Sequence, residues 1–197
     1  MGVKLLMHVC CGPCALWPVG FLRDSGLFNV TGLFYNPNIH PIDEFNKRAD
    51  GARLVFENAG LPLIVSSAYM QREWEQFESS NVDICAASGA DAIDGGKGPR
   101  CETCYRARIE YTARYARDNG FGIFTTSLLI SPYQNHKLIA SICMEQASAF
   151  GVGFYYEDFR SHFREGQNMA RNAGIYRQKY CGCIFSKNNA ALKIKKK

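Results

Sequence analysis

Seven of the nine cysteines in this 197-residue sequence fall into three tight groups. Cys10, Cys11 and Cys14 lie in HVCCGPC, Cys101 and Cys104 in RCETCYRARI, and Cys181 and Cys183 in YCGC. A thiolate is both a nucleophile and a soft metal ligand, so grouping of this kind points to metal binding or redox chemistry. Four thiolates satisfy a tetrahedral zinc or a [4Fe–4S] cluster. The CxxC pairs of a structural zinc usually stand ~15–20 residues apart, whereas these groups are spread along the chain. Vicinal Cys10 and Cys11 are hindered as joint ligands of one small ion and suit different corners of a cluster. A disulfide between Cys181 and Cys183 would close a small strained ring, and strained disulfides are the more oxidising ones. Zinc and iron–sulfur both stay open at this point. Cys143, within LIASICMEQA, reads as a small core residue, and Cys85 in VDICAASGA has no assignment.

Other side chains beside these groups can move protons or bind substrate. His8 directly precedes the vicinal cysteines, but within an apolar run it reads as a packed side chain before it reads as a donor. Tyr105 and Tyr133 carry hydroxyls near the thiol segments. Asn36 and Asn38, in YNPNIHP, either bind substrate or shape the turn around Pro37. Gln134 and His136 are left undecided between the same two roles.

These residues need elements that bring them together. Residues 4–9 read as a buried strand, 14–26 as a helix closed by Gly26, and 30–35 as a second strand. Residues 41–60 open on Pro41, carry Asp43 and Glu44 early and end at Gly60, which are helix start and stop signals. A strand over 61–67 and a helix over 69–80 follow. Residues 83–100 shift to Ala, Gly, Ser and Asp and read as an irregular connection. Ile109, Thr112, Ala113 and Ala116 give a helical stripe that Gly120 closes. The segment 122–131 starts as a strand, 132–150 reads as a helix and 151–159 as a last strand.

Strands alternating with helices predict an α/β fold with a parallel sheet and helices on both faces. Residues 1–190 are expected to form a single catalytic domain holding the cysteine-rich site, and 191–197 a basic C-terminal tail. In such sheets ligands sit beyond the carboxyl ends of the strands, where the strand order reverses. Cys10 and Cys11 follow the first strand directly, and Cys101 and Cys104 open a helix whose dipole favours thiolates. Convergence of the three thiol groups on one crevice is therefore the central expectation.

Composition narrows the setting. Apolar residues make up 47% and charged residues 21%, which excludes a disordered or fibrous chain. No apolar run approaches the ~20 residues of a membrane helix. The opening MGVKLLMHV does not read as a secretory leader, so a cytoplasmic protein with reduced thiols and no membrane partner is expected. Of the formal charge of +5, four units come from Lys193, Lys195, Lys196 and Lys197. Residues 157–187 are more informative: six basic residues face Glu157, Asp158 and Glu165, with Phe159, Phe163, Tyr176 and Tyr180 interleaved. That mixture can follow an RNA backbone and stack its bases, or form an ordinary amphipathic surface.

HVCCGPC, YNPNIHP, RCETCYRARI, FTTSLLISPYQNH and YCGC occur in this order across nearly the whole chain. Together they resemble the QueH family of epoxyqueuosine reductases. The resemblance implies an adenine nucleotide alpha-hydrolase-like fold of the HUP/Rossmann type, with cysteines where nucleotide-using relatives carry a Ser-Gly-Gly-x-Asp loop. It implies reduction of epoxyqueuosine to queuosine at the wobble position of tRNA, without cobalamin and with no ATP expected. It suggests Cys10, Cys11, Cys101 and Cys104 as ligands of a [4Fe–4S] cluster, and Cys181 with Cys183 as a redox-active, disulfide-forming pair. Cys14, with Cys181 and Cys183, would alternatively hold an additional iron. Asn36, Asn38, Tyr105, Tyr133 and Gln134 become substrate-binding candidates. The partners implied are tRNA carrying epoxyqueuosine in its anticodon loop and an external electron donor. Two other readings remain: an iron–sulfur-dependent tRNA thiolation enzyme and a zinc-stabilised RNA-binding module.

Overall fold

The computed structural model describes residues 2–67, 72, 74, 76, 99–184, 186 and 187. Five strands form one sheet: β1 (Val3–His8), β2 (Phe28–Phe34), β3 (Leu63–Val65), β4 (Ile123–Thr126) and β5 (Gly153–Phe154). Their spatial order is β3-β2-β1-β4-β5, and every neighbouring pair is parallel. The five main described helices are α1 (Gly12–Asp24), α2 (Ile42–Asn58), α3 (Pro99–Asp118), α4 (His136–Phe150) and α5 (Phe163–Asn172).

β1 is the central strand, which is why its residues read as a continuous apolar run rather than an alternating one. Leu6 and Phe124 turn to one face, where they pack with Ile109, Ala113 and Ala116 of α3 and Ile139, Ile142 and Cys143 of α4. Leu5 and Met7 turn to the other, against Ala15, Val19 and Leu22 of α1 and Ala49, Ala52, Val55 and Phe56 of α2. Ala170 of α5 joins this second core. Gly12 permits the approach of α1 to α2: a Cβ there would lie 2.6 Å from the carbonyl oxygen of Gly51. The expected α/β architecture, with a parallel sheet and helices on both faces, is what is found.

The register brings the strand ends together. His8 pairs with Leu33 of β2 on one side and Thr126 of β4 on the other, so three carboxyl ends finish at one edge. Strand order reverses at β1, and the gap between β1 and β4 is the switch point.

Several boundaries differ from the sequence expectation or sharpen it. The helix expected over 132–150 starts at His136, because Asn135 caps it by accepting the Leu138 N–H at 3.2 Å. β4 ends at Thr126, whose hydroxyl accepts from the Leu128 N–H and turns residues Ser127–Ile130 into a 3-10 segment. The strand expected over 151–159 pairs only through Gly153 and Phe154 at the sheet edge. The expected helix over 69–80 and the connection over 83–100 that contains Cys85 lie mostly outside the described residues, as does the whole tail over 191–197.

Candidate metal and active site

The chain leaves β1 at His8 and reaches its first three cysteines within six residues. His8 is fully buried and joins the strand ends: its Nδ1 accepts from the Thr126 hydroxyl at 2.8 Å, and its Nε2 donates to the Tyr35 carbonyl at 3.2 Å. The assignment is self-consistent, since the same Thr126 oxygen accepts from the Leu128 N–H and needs an acceptor for its own proton. Burial, reinforced by the Arg108 charge, lowers the His8 pKa to about 4, so the imidazole is neutral and spent on structure.

Cys10 then meets Ser127 at the end of β4. Its N–H donates to the Ser127 hydroxyl at 2.9 Å, and that hydroxyl donates to the Cys10 sulfur at 3.3 Å. Cys11 is the N-cap of α1 and Cys14 lies in its first turn, which folds their sulfurs back onto Cys10. The three sulfur atoms lie within 4.8 Å of one another, with Cys10 and Cys11 3.7 Å apart. Hydrogen bonds from Cys11 and Cys14 hold the Cys10 thiol well below its ordinary pKa. Burial pushes Cys11 up, and the hydrogen bond to Cys10 pushes Cys14 up. One negative charge is thus shared by two thiol donors, an arrangement a soft cation replaces by displacing their protons.

The second group stands in the first two turns of α3, where Cys101 and Cys104 are three residues apart and share a face. One turn further on, Arg108 is buried and donates from Nε to the Cys104 carbonyl at 3.0 Å. Burial raises the Cys104 pKa to about 11, partly offset by the Arg108 charge.

The third group returns from the C-terminal side. Gln178 donates from Nε2 to the Cys11 sulfur at 2.9 Å, with the Cys14 sulfur 3.8 Å away. The Cys181 and Cys183 sulfurs are 3.6 Å apart. Ser186 accepts from the Cys181 N–H at 3.0 Å and sends its own N–H to the Cys183 sulfur at 3.4 Å. The hydrogen bond between these thiols lowers the Cys181 pKa and raises that of Cys183.

Six of the seven grouped cysteines line a single cavity of about 440 Å³: Cys10, Cys14, Cys101, Cys104, Cys181 and Cys183. Cys11 lies just behind it, against Cys10 and Gln178. Arg48, Arg100, Arg108 and Lys179 also line it, and no carboxylate does so among the described residues. Apart from its own thiols, the charged side chains of the described wall are therefore all cationic, with Arg48 paired to Glu44 behind it. Two buried acceptors at its wall, Asn38 Oδ1 and Gln178 Oε1, have no hydrogen-bond partner among the described residues. Groups of this kind are costly when nothing pairs with them.

Of the other sequence candidates, Tyr105 and Gln134 both line the cavity and bond to each other, hydroxyl to Oε1, at 2.5 Å. Burial raises the Tyr105 pKa, so its proton stays on oxygen. Tyr133 stands at the wall, 67% exposed and edge-on to Phe163 with ring centroids 5.6 Å apart. Asn38 lines the cavity, while Asn36 lies outside its wall and donates from Nδ2 to the Val9 carbonyl at 2.8 Å. His136 also lies outside it, 3.5 Å from Asp158. Sequence reasoning passed over Arg48, Arg108, Ser127 and Gln178. Only Arg108 carried a local signal, one helical turn beyond Cys104.

The sequence profile of the family described as "Epoxyqueuosine reductase QueH" matches residues 5–189. The chain belongs to the QueH family. Relatives named epoxyqueuosine reductase QueH include one from Dehalococcoides mccartyi, 34% identical over 188 residues, covering 94% of this chain and 93% of that one. The QueH of Thermotoga maritima is 34% identical over 185 residues, covering 92% of this chain and 89% of its own. Among solved structures, the U34-tRNA thiolase NcsA of Methanococcus maripaludis, described with its [4Fe–4S] cluster, superposes with a TM-score of 0.54 at 13% identity. That match covers 98% of this chain and 66% of the thiolase, and it places the QueH chain in the adenine nucleotide alpha-hydrolase-like fold that the sequence implied.

Proposed function

We propose that this protein reduces epoxyqueuosine to queuosine at the wobble position of tRNA, using a [4Fe–4S] cluster held in the cysteine-lined cavity. The observation that carries the reading is the meeting of three distant thiol groups in one cation-lined cavity, in a chain that belongs to the QueH family. Cys10, Cys11, Cys101 and Cys104 are the proposed cluster ligands. Cys181 with Cys183 is the redox pair, or with Cys14 the holder of an additional iron. The donor chemistry fits: soft sulfur ligands, three of them mutually close, with Ser127 and Gln178 donating hydrogen bonds to sulfur and buried Arg108 balancing negative charge. When bound, the cluster supplies single-electron transfer, which ordinary side chains lack.

Opening the epoxide to an alkene takes two electrons and two protons and releases water. Conversion of the Cys181 and Cys183 thiols to a disulfide provides two of each, and an external reductant restores the dithiol. The cavity residues bind and orient the modified base. Asn38 and Gln178 offer unpaired acceptors to substrate hydroxyl groups, and Lys179 together with Arg100 faces the phosphate backbone. His8, neutral and buried, takes no part in proton delivery. Among the described residues no helix is long and apolar enough to cross a membrane, and a tRNA substrate accords with a cytoplasmic site of action.

The test is anaerobic reconstitution with iron and sulfide, followed by incubation with dithionite and epoxyqueuosine-containing tRNA. The expected result is iron uptake with broad visible absorption and a nucleoside lighter by one oxygen. Folded protein that takes up no iron overturns the reading, as does a nucleoside that is unchanged or has gained sulfur.

A further inference from the structure

We propose that the buried Arg48–Glu44 pair positions the Cys181-Gly182-Cys183 segment, holding its backbone in the dithiol geometry at the cavity wall and opposing closure into a disulfide. The inference rests on the reading of Cys181 and Cys183 as a redox pair.

Glu44 and Arg48 lie one turn apart on α2, where an i, i+4 pair would ordinarily be an exposed surface contact. Here both side chains are buried, 8% and 3% exposed, with the guanidinium 2.7 Å from the carboxylate. The other face of the Arg48 fork is turned to the C-terminal segment. Nη1 donates to the Cys181 carbonyl at 2.9 Å and Nη2 to the Tyr180 carbonyl at 2.8 Å. Tyr176 closes the arrangement by donating its hydroxyl to Glu44 Oε2 at 2.5 Å. Two contacts from the residue before α2's opening proline add to it. The Tyr180 hydroxyl donates to the His40 carbonyl, and the His40 N–H donates to the Gly182 carbonyl at 2.9 Å.

The segment between the two cysteines is therefore gripped at three successive carbonyls, those of residues 180, 181 and 182. Gly182 has a φ of +125°, and a Cβ there would lie 3.1 Å from Ile39 Cγ1 and 3.2 Å from Arg48 Nη1. The glycine of this CxC is required by the grip itself. With the backbone held, the sulfurs stand 3.6 Å apart. A disulfide needs about 2.05 Å between sulfurs and a dihedral near 90°. The Arg48 and His40 bonds to the carbonyls of residues 180, 181 and 182 resist whatever backbone shift closure asks of this segment. Arginine suits this role because its rigid fork bonds two acceptors in one plane, which an ammonium group cannot do.

The experiment equilibrates the anaerobically reconstituted protein in buffers of reduced and oxidised glutathione. In each, the Cys181 and Cys183 thiols pass two electrons and two protons to glutathione disulfide, forming one S–S bond and two glutathione thiols. Alkylation and mass analysis of the peptide carrying both cysteines reads the oxidised fraction. Arg48→Met is expected to shift the equilibrium toward disulfide by about tenfold, equivalent to a potential about 30 mV lower. Arg48→Lys is expected not to restore it. Tyr176→Phe, which leaves the ion pair intact and guards against a folding failure of the first variant, is expected to shift it less and in the same direction. Variants that fold and match the wild type, or that shift toward dithiol, overturn the inference. A wild-type pair that never oxidises reversibly instead overturns the redox reading, and the inference with it.

Discussion

The Ser127 hydroxyl bridges two atoms of one residue: it accepts from the Cys10 backbone N–H at 2.9 Å and donates to the Cys10 sulfur at 3.3 Å. It thereby locks the exit of β1 to the exit of β4 at the switch point. Hydrogen bonds to cluster sulfurs raise the reduction potential because they stabilise the added negative charge. Ser127→Ala is expected to bind metal but to lower the midpoint potential of the reconstituted centre, measured by reductive titration followed spectroscopically. An unchanged potential shows that the sulfur of Cys10 does not carry the cluster's charge.

His8 gives a stability prediction with a definite sign. Its folded pKa of about 4 lies below the ordinary histidine value of 6.5, so between those values the unfolded chain takes up a proton that the folded chain refuses. Its contribution is fully present above pH 6.5 and is lost as pH falls toward 4, by about 3 kcal/mol at most. Urea midpoints at neutral and acidic pH should fall less steeply for His8→Gln, which keeps one donor and one acceptor but does not titrate.

The thiol groups were legible because cysteines do not cluster without a chemical reason, and the alternating pattern around them was enough to place the strand ends. The residues that bind the groups to one another were not legible. Arg48 lies 133 residues from the Cys181 carbonyl it holds, and its spacing from Glu44 reads as a solvent-facing pair until the C-terminal segment covers it. Gln178 likewise lies 167 residues from the sulfur it contacts. Ser127 was hidden because residues 122–131 read only as starting in a strand, with nothing to show that the Thr126 hydroxyl turns the chain just there and brings Ser127 onto Cys10. The Asn36 side chain is divided: its Nδ2 is committed to the Val9 carbonyl, whereas its buried Oδ1 has no partner among the described residues.

Cys14 separates the two ligand sets. Its sulfur lines the cavity beside Cys10, whereas Cys11 lies behind, in contact with Gln178. With the cluster on Cys10, Cys11, Cys101 and Cys104, Cys14→Ser is expected to keep the cluster's visible absorption and to lose any iron bound outside it. Iron and sulfide analysis of the reconstituted variant reads both. Loss of the cluster itself transfers Cys14 into its ligand set.

Lys179 is exposed and lines the cavity, where no described carboxylate opposes it. A lysine that neutralises one phosphate of a single-stranded loop contributes about 0.7 to the slope of log affinity against log salt. Lys179→Ala is expected to weaken tRNA binding and flatten that slope by about this amount, measured by fluorescence anisotropy across salt concentrations. A parallel shift with the slope unchanged removes Lys179 from the phosphate contacts.

Tyr133 is the large aromatic ring that the cavity wall leaves most open, and its edge-on contact with Phe163 fixes the ring while leaving a face free. A base drawn out of an anticodon loop loses its stacking neighbours and regains that energy on such a face, which is worth about 1–3 kcal/mol per base by alanine substitution. Tyr133→Ala should therefore raise the KM for tRNA by about 5- to 150-fold, with kcat at saturation changed little, because the ring binds the loop rather than the reacting bond. Tyr133→Phe should retain the wild-type KM, since stacking needs the ring and not the hydroxyl. If Tyr133→Phe loses kcat instead, the hydroxyl is a proton donor in the reaction, and the residue belongs to the chemistry rather than to the platform.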